Sequence, residues 1–143
     1  MNSQEPVGPD TIKPENKPLM TKPGKTGLAR LFAATGYSMQ GLRAAWKHEE
    51  AFRIEATLAC LCVPLAFWVG RDLTHKLLLV ICCGLVIIAE LVNSAIEAAV
   101  DRFGSEQHPL SGQAKDIGSA VVFTSLVLFL IVWIPSLWQR FFV

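Results

Sequence analysis

Hydrophobic and polar positions divide the chain into a polar first part and three long apolar runs. The runs cover about residues 51–70, 76–102 and 117–140. Each is close to the ~20 residues that a helix needs to cross a bilayer, and the third is uncharged throughout its central part. The pattern predicts three transmembrane helices, joined by a short turn and then by a polar loop over about 103–116.

The segment before the first apolar run has a different pattern. Apolar and basic residues alternate at helical spacing over about 27–50, which is typical of an amphipathic helix lying on a membrane surface. This segment is either one helix or two helices separated at Gly36 or Gly41. Residues 1–26 hold five of the eight prolines and no apolar periodicity, so we expect a disordered tail.

Composition supports a membrane protein and argues against nucleic-acid binding. Hydrophobic residues make up 52% of the chain, the net charge is +1, and the mean hydropathy is +0.40. A chain with so small a net charge has no overall positive field that would attract nucleic acid. The four cysteines form CxC and CC pairs inside apolar runs, which predicts small apolar fillers and not a zinc site.

Positive charge predicts the orientation of the spans. Most lysines and arginines precede or open the first span, and Arg102 and Lys115 flank the 103–116 loop. By the positive-inside rule, the N-terminus and this loop are cytoplasmic. Three helices bury little surface alone and small residues are frequent on them, so we expect a homo-oligomer.

Four polar side chains interrupt the second span: Glu90, Asn93, Glu97 and Asp101. Their spacing places them on one stripe of an α-helix. At 1.5 Å per residue, Glu90 lies ~16 Å deeper than Asp101. An ionised carboxylate in mid-membrane costs at least ~2.5–3.5 kcal/mol, so such residues normally face a bundle interior or a wet cavity. The stripe therefore indicates a functional site.

The residues alone allow two interpretations of the stripe. Its oxygens suit a hard cation, or one ionised ligand beside a carboxylate that accepts a proton. Further charges are expected at the same membrane level, namely Glu49, Glu50, Arg53, Glu55, Glu106, His108, Lys115 and Asp116. Carboxylates and cations together at one mouth are typical of phosphoryl transfer.

Over Gly27 to about Val122, the chain resembles the small bacterial integral-membrane diacylglycerol kinases. The matching stretches are GYSMQGLRAAWKHEEAFRIE (36–55), AELVNSAIEAAVDRFGSEQHPLSGQAKDIGSA (89–120) and the arginine of LARL (28–31). The resemblance implies an all-α homotrimer with an N-terminal surface helix and three transmembrane helices per subunit. It implies ATP-dependent phosphorylation of diacylglycerol to phosphatidic acid, with Mg²⁺, in the bacterial inner membrane.

The resemblance also implies roles for individual residues. Glu90 resembles the catalytic base, and Glu49 and Glu97 resemble the carboxylates that hold magnesium, with Asn93 and Asp101 in support. The implied nucleotide contacts are Arg30, Tyr37, Glu49, Glu97, Glu106, Gln107, His108, Lys115 and Asp116. The implied lipid contacts are Ala34, Thr35, Gly36, Tyr37, Ser38, Met39, Arg43, Ala44, Ala45, Trp46, Ala51, Phe52, Arg53, Ile54, Glu55, Glu90 and Ser119.

Depth along the stripe agrees with Glu90 as the base, because a carboxylate in apolar surroundings binds a proton more tightly. The alternatives are a carboxylate-based proton or cation translocator, a non-catalytic assembly protein, and a kinase that acts on undecaprenol. A translocation path should continue across the bilayer, but no ionisable residue lies between Lys76 and Glu90.

Overall fold

The computed structural model describes residues 27–104 and 108–142, and all regular structure within these ranges is helical. Four helices follow one another along the chain: α1 (Leu28–His48), α2 (Glu50–Val69), α3 (Leu73–Asp101) and α4 (Pro109–Phe142). The expected tail, residues 1–26, lies outside the described residues. Residues 27–35 belong to one compact unit and residues 36–142 to a second.

In the first unit, the chain enters α1 through Gly27, which has a φ of +61°. The backbone N–H of Arg30 donates to the Gly27 carbonyl at 3.1 Å, and the Thr35 hydroxyl donates to the Leu31 carbonyl. Helix α1 as a whole has no break at either of its glycines. The chain therefore adopts the single-helix alternative. The cost is small, because a glycine inside a helix is only about 1 kcal/mol less favourable than alanine.

In the second unit, α3 packs along both α2 and α4, while α2 and α4 meet at few points. Residue Glu49 leaves the helical conformation and separates α1 from α2. A guanidinium nitrogen of Arg53 donates to the carbonyl oxygen of Trp46 at 3.2 Å and of Lys47 at 3.5 Å. Arg53 thereby satisfies carbonyls at the end of α1 that have no partner within that helix.

The turn between α2 and α3 is shorter than expected. Asp72 caps α3 by accepting a hydrogen bond from the backbone N–H of His75 at 2.9 Å. Helix α3 therefore begins at Leu73 and not near residue 76.

The expected loop over 103–116 is wrong for its second half, because α4 begins at Pro109. Proline is favoured in the first helical turn, where its missing N–H is not needed. The ring nitrogen Nδ1 of His108 also accepts from the backbone N–H of Leu110 at 3.2 Å. The polar residues that follow continue the helix beyond the apolar span, so Lys115 and Asp116 lie on α4.

The buried residues of α3 change in character along the helix. Near its N-terminal end, Leu79, Cys82 and Cys83 pack with Ala66 and Trp133 in an apolar core. Further along, Glu90, Asn93 and Ser94 are buried polar residues. One end of the bundle is thus packed as an ordinary core, and the other end contains the polar groups of the stripe.

Helices α2, α3 and α4 are each long and apolar enough to cross a membrane. Many of their large apolar side chains, such as Leu61, Ile81, Phe123 and Ile131, are exposed on the isolated chain. Apolar surface of this extent is typical of a protein whose solvent is lipid.

Candidate functional site

The side chains of the stripe become more exposed towards the C-terminal end of α3. Glu90 is 4% exposed and Asn93 is 9% exposed, whereas Glu97 is half-buried and Asp101 is exposed. The order of exposure is the order of position along the helix. A group entering from the end near Asp101 meets exposed carboxylates first and Glu90 last.

Three carboxylates that the sequence placed in one site are close enough to interact. Glu90 on α3 interacts electrostatically with Glu97, about two turns further along the same face of the helix, and with Glu49 at the α1–α2 junction. Glu55 on α2 interacts in turn with Glu90. Because like charges repel at short range, a cation or a proton among these groups is favourable.

The Glu49 carboxylate is available for a ligand. Glu49 stands at the N-cap position of α2, and its side chain makes no capping hydrogen bond there. Its backbone N–H donates to the Ala45 carbonyl at 2.8 Å. Arg53, four residues after Glu49, forms no ion pair with it and donates instead to carbonyl oxygens at the end of α1.

Asn93 connects the deeper and shallower parts of the stripe. Its Nδ2 donates to Oε1 of Glu97 at 3.0 Å. Its Oδ1 is buried without a hydrogen-bond partner and lies against Gly118 of α4. The amide thus holds one oxygen of Glu97 in place.

Lys115 and Asp101 form an ion pair of 2.6 Å between α4 and α3. Both side chains are exposed, at 40% and 64% respectively. Lys115 also interacts electrostatically with Glu97. Among residues 27–104 and 108–142 this is the only ion pair, and it holds the Lys115 ammonium at the exposed end of the stripe.

The remaining predicted nucleotide contacts are divided between the two units. Arg30 is exposed on α1 in the first unit. Tyr37, His108 and Asp116 belong to the second unit and are also exposed. Glu106 and Gln107 lie outside the described residues.

The predicted lipid contacts lie on α1, at the start of α2, and at one position each of α3 (Glu90) and α4 (Ser119). Ala34 and Thr35 belong to the first unit, and the others belong to the second. Ala45 and Phe52 are buried, whereas Ser119 on α4 is exposed. Most of the others are exposed, namely Gly36, Tyr37, Ser38, Met39, Arg43, Ala44, Trp46, Ala51 and Ile54.

Glu55, one of the predicted lipid contacts, has a carboxylate that lines a pocket. Its Oε2 is buried without a hydrogen-bond partner, and the side chain lines a pocket of about 70 Å³ together with Cys62 and Cys83. A buried carboxylate oxygen without a partner is costly in a stable fold, which favours a polar occupant beside it.

The donor set fits a magnesium–nucleotide complex. Within the described ranges, no three Asp, Glu, His or Cys side chains form a closed metal cage. Magnesium is usually held by one or two carboxylates together with substrate phosphates and water. Glu49 and Glu97, which both interact with Glu90, would supply two such carboxylates, and the Lys115 ammonium is a cation that interacts with Glu97.

Residues 36–137 match the sequence model of the prokaryotic diacylglycerol kinases. The chain belongs to this family. It is 49% identical to the diacylglycerol kinase of Escherichia coli K12 over 116 residues, which cover 81% of this chain and 95% of the relative. It is 50% identical to the diacylglycerol kinase of Haemophilus influenzae over 108 residues (76% of this chain, 92% of the relative).

A third relative, the diacylglycerol kinase of Pseudomonas aeruginosa, is 46% identical over 110 residues (77% of this chain, 89% of the relative). The family identified from the sequence is confirmed. Together with the three apolar helices, it makes the chain a multi-pass bacterial membrane protein.

One residue that packs against the stripe, Gly118, was not among the predicted site residues. The signal in the sequence was only a small residue in an apolar helix. Gly118 contacts Asn93, which lies on a different helix. The spacing of residues within one helix cannot reveal such a contact.

Proposed function

We propose that this chain is an ATP-dependent lipid kinase that phosphorylates diacylglycerol and releases phosphatidic acid and ADP. The observation that carries the proposal is the stripe of polar side chains from buried Glu90 to exposed Asp101, in which Glu90 interacts with Glu97 and with Glu49, in a chain 49% identical to a curated diacylglycerol kinase. A site open at one end and apolar at the other suits one water-soluble and one membrane-bound substrate.

Glu90 is the proposed general base. It is 4% exposed and lies at the deep end of the stripe, where a lipid hydroxyl can approach from the hydrocarbon. The carboxylate accepts the hydroxyl proton while the hydroxyl oxygen bonds to the γ-phosphorus of ATP. The bond between the γ-phosphorus and the bridging β–γ oxygen breaks, and the electron pair leaves with ADP.

Glu49 and Glu97 are the proposed magnesium ligands. A magnesium ion held by them would neutralise charge on the β- and γ-phosphates during transfer. Asn93 orients Glu97 through the 3.0 Å hydrogen bond. Lys115, which Asp101 holds at 2.6 Å, contributes a further positive charge at the open end.

The remaining assignments complete the proposal. Within the second unit, Tyr37, His108 and Asp116 are the proposed nucleotide contacts, and most of the proposed lipid contacts lie within residues 36–55. The resemblance assigns a nucleotide role to Arg30, Glu106 and Gln107 as well. Helix α1 lies on the membrane surface, and the N-terminus and the α3–α4 connection face the cytoplasm of a bacterial inner membrane. The assembly is a homotrimer, consistent with the exposed apolar faces of α3 and α4.

One assay tests the activity directly. Purified protein in mixed micelles is incubated with labelled ATP, Mg²⁺ and diacylglycerol, and label is expected in phosphatidic acid. Glu90→Gln should abolish turnover while ATP binding persists, because the amide cannot accept the proton. Glu50→Gln is the matched control: Glu50 is an exposed glutamate in the first turn of α2, and its variant should keep full turnover.

Three results would each contradict part of the proposal. Label that fails to enter diacylglycerol would exclude the activity, and label that enters only undecaprenol, supplied in a parallel assay, would assign the chain to another acceptor. More than a few per cent of activity in Glu90→Gln would exclude Glu90 as the base.

A further inference from the structure

Helices α3 and α4 approach closely at one point of the candidate site, and the contact there is between Gly118 and Asn93. Gly118 is buried. A Cβ added to it would overlap Oδ1 of Asn93, and would lie 3.5 Å from Asn93 Cγ and 3.6 Å from Ile96 Cδ1. The absent side chain of Gly118 is therefore what leaves room for the amide.

The other glycines inside the described helices are different. A Cβ at Gly36, Gly41, Gly84 or Gly112 would meet nothing within 4 Å. At those positions alanine is sterically free, and it is the better helix former by up to about 1 kcal/mol. Gly118 is the position inside a helix where alanine would push against a neighbouring helix.

The orientation of the Asn93 amide is set by the groups on its two sides, Glu97 and Gly118. Its Nδ2 donates to Oε1 of Glu97, so the opposite orientation would place two acceptor oxygens together. With Nδ2 on Glu97, Oδ1 faces Gly118 and has no hydrogen-bond partner. A buried carbonyl oxygen without a partner costs about 1–3 kcal/mol. This cost falls on Asn93, whose Nδ2 at the same time holds the Glu97 carboxylate.

A methyl group at position 118 could be accommodated only if the Asn93 side chain turned away, because the alternative is to separate two packed helices. Turning the amide removes Nδ2 from Glu97. A local steric change on α4 would then release a carboxylate on α3 that it does not contact.

We propose that Gly118 is a positioning residue of the phosphoryl-transfer site, which acts through the Asn93 amide to hold the Glu97 carboxylate in the geometry that binds the metal–nucleotide complex. This inference rests on the proposed role of Glu97 as a magnesium ligand. It adds a residue that touches neither substrate nor metal.

Gly118→Ala tests the inference, with Gly84→Ala on the exposed side of α3 as the matched control. The Mg²⁺ concentration for half-maximal activity should rise ~10–100-fold in Gly118→Ala, the range typical of lost support to a metal ligand. KM for diacylglycerol should not change. The rise in Tm caused by Mg²⁺ and ADP, which needs no turnover, should shrink in parallel. Gly84→Ala should match the wild type in all three measurements.

A double-mutant cycle separates positioning from general damage. Asn93→Ala alone should raise the Mg²⁺ requirement as Gly118→Ala does, and Asn93→Ala/Gly118→Ala should be no worse than either, because the overlap is then absent. If Gly118→Ala does not fold, Asn93→Ala and the double variant still carry the test. Normal Mg²⁺ dependence in Asn93→Ala, or the same additional shift from Gly118→Ala in both backgrounds, would overturn the inference.

Failure of the proposed function would look different. An inactive wild type would refute the kinase, and Glu97→Gln with normal Mg²⁺ dependence would refute its role as a ligand. An active wild type, with Glu97→Gln impaired and Gly118→Ala normal, would refute only the role of Gly118.

Discussion

The Nζ atom of Lys115 lies 2.6 Å from Oδ1 of Asp101 and so joins the second turn of α4 to the last residue of α3. The pair stands at the open end of the carboxylate stripe, where Lys115 also interacts with Glu97. Its position, more than its strength, is what matters to the site.

Asp101→Asn should change ATP use more than stability. Exposed ion pairs contribute about 0–1 kcal/mol, so the variant should lose less than 1 kcal/mol of unfolding free energy. Lys115 would no longer be held beside the phosphates, and KM for ATP should rise several-fold. Lys115→Met should raise it further, because the charge itself is lost. Arg71→Gln, in the turn at the opposite end of the bundle, should leave KM for ATP unchanged. An equal rise in Arg71→Gln would show that the effect is not local.

Substitution of Glu49, Glu90 or Glu97 should change different kinetic properties of the enzyme. Glu49→Gln and Glu97→Gln should raise the Mg²⁺ concentration needed for half-maximal activity, because an amide is a weaker ligand for a hard cation than a carboxylate. Glu90→Gln should reduce kcat and leave Mg²⁺-dependent ATP binding close to normal. Titration of Mg²⁺ in activity and nucleotide-binding assays measures both. Normal Mg²⁺ dependence in Glu97→Gln would remove it from the ligand set.

Ser136→Ala should destabilise the end of the bundle that is remote from the site. The backbone N–H of Arg71 donates to Nδ1 of His75, so the neutral ring carries its hydrogen on Nε2. That nitrogen donates to the Ser136 hydroxyl oxygen at 2.9 Å and ties the start of α3 to α4. Loss of the acceptor should cost about 1 kcal/mol, measured as unfolding free energy in detergent.

Kinase activity should survive the Ser136→Ala change, because the bond lies far along α3 from Glu90. Thr124→Ala is the control, since the exposed Thr124 hydroxyl donates only to the Ala120 carbonyl of its own helix. Equal destabilisation by both variants would mean that the His75–Ser136 bond contributes nothing specific.

Local pattern was sufficient to predict the elements of the fold and the stripe of polar residues on α3. Apolar runs of membrane-spanning length identified α2, α3 and α4, and spacing along one run identified the stripe of Glu90, Asn93, Glu97 and Asp101. These predictions succeed because helical periodicity depends on neighbouring residues only. The start of α4 at Pro109 was missed, because polar residues form helix outside the apolar span as readily as they form loop.

The contacts between helices were decided only by the tertiary structure. Three contacts join residues that are distant in sequence. Lys115 pairs with Asp101, His75 donates to Ser136, and Asn93 packs against Gly118. Each depends on how far two helices are rotated and shifted along one another, which the period of either helix leaves open. The stripe therefore indicated where polar groups collect on α3, and the packing of α4 against α3 determined which side chains contact them.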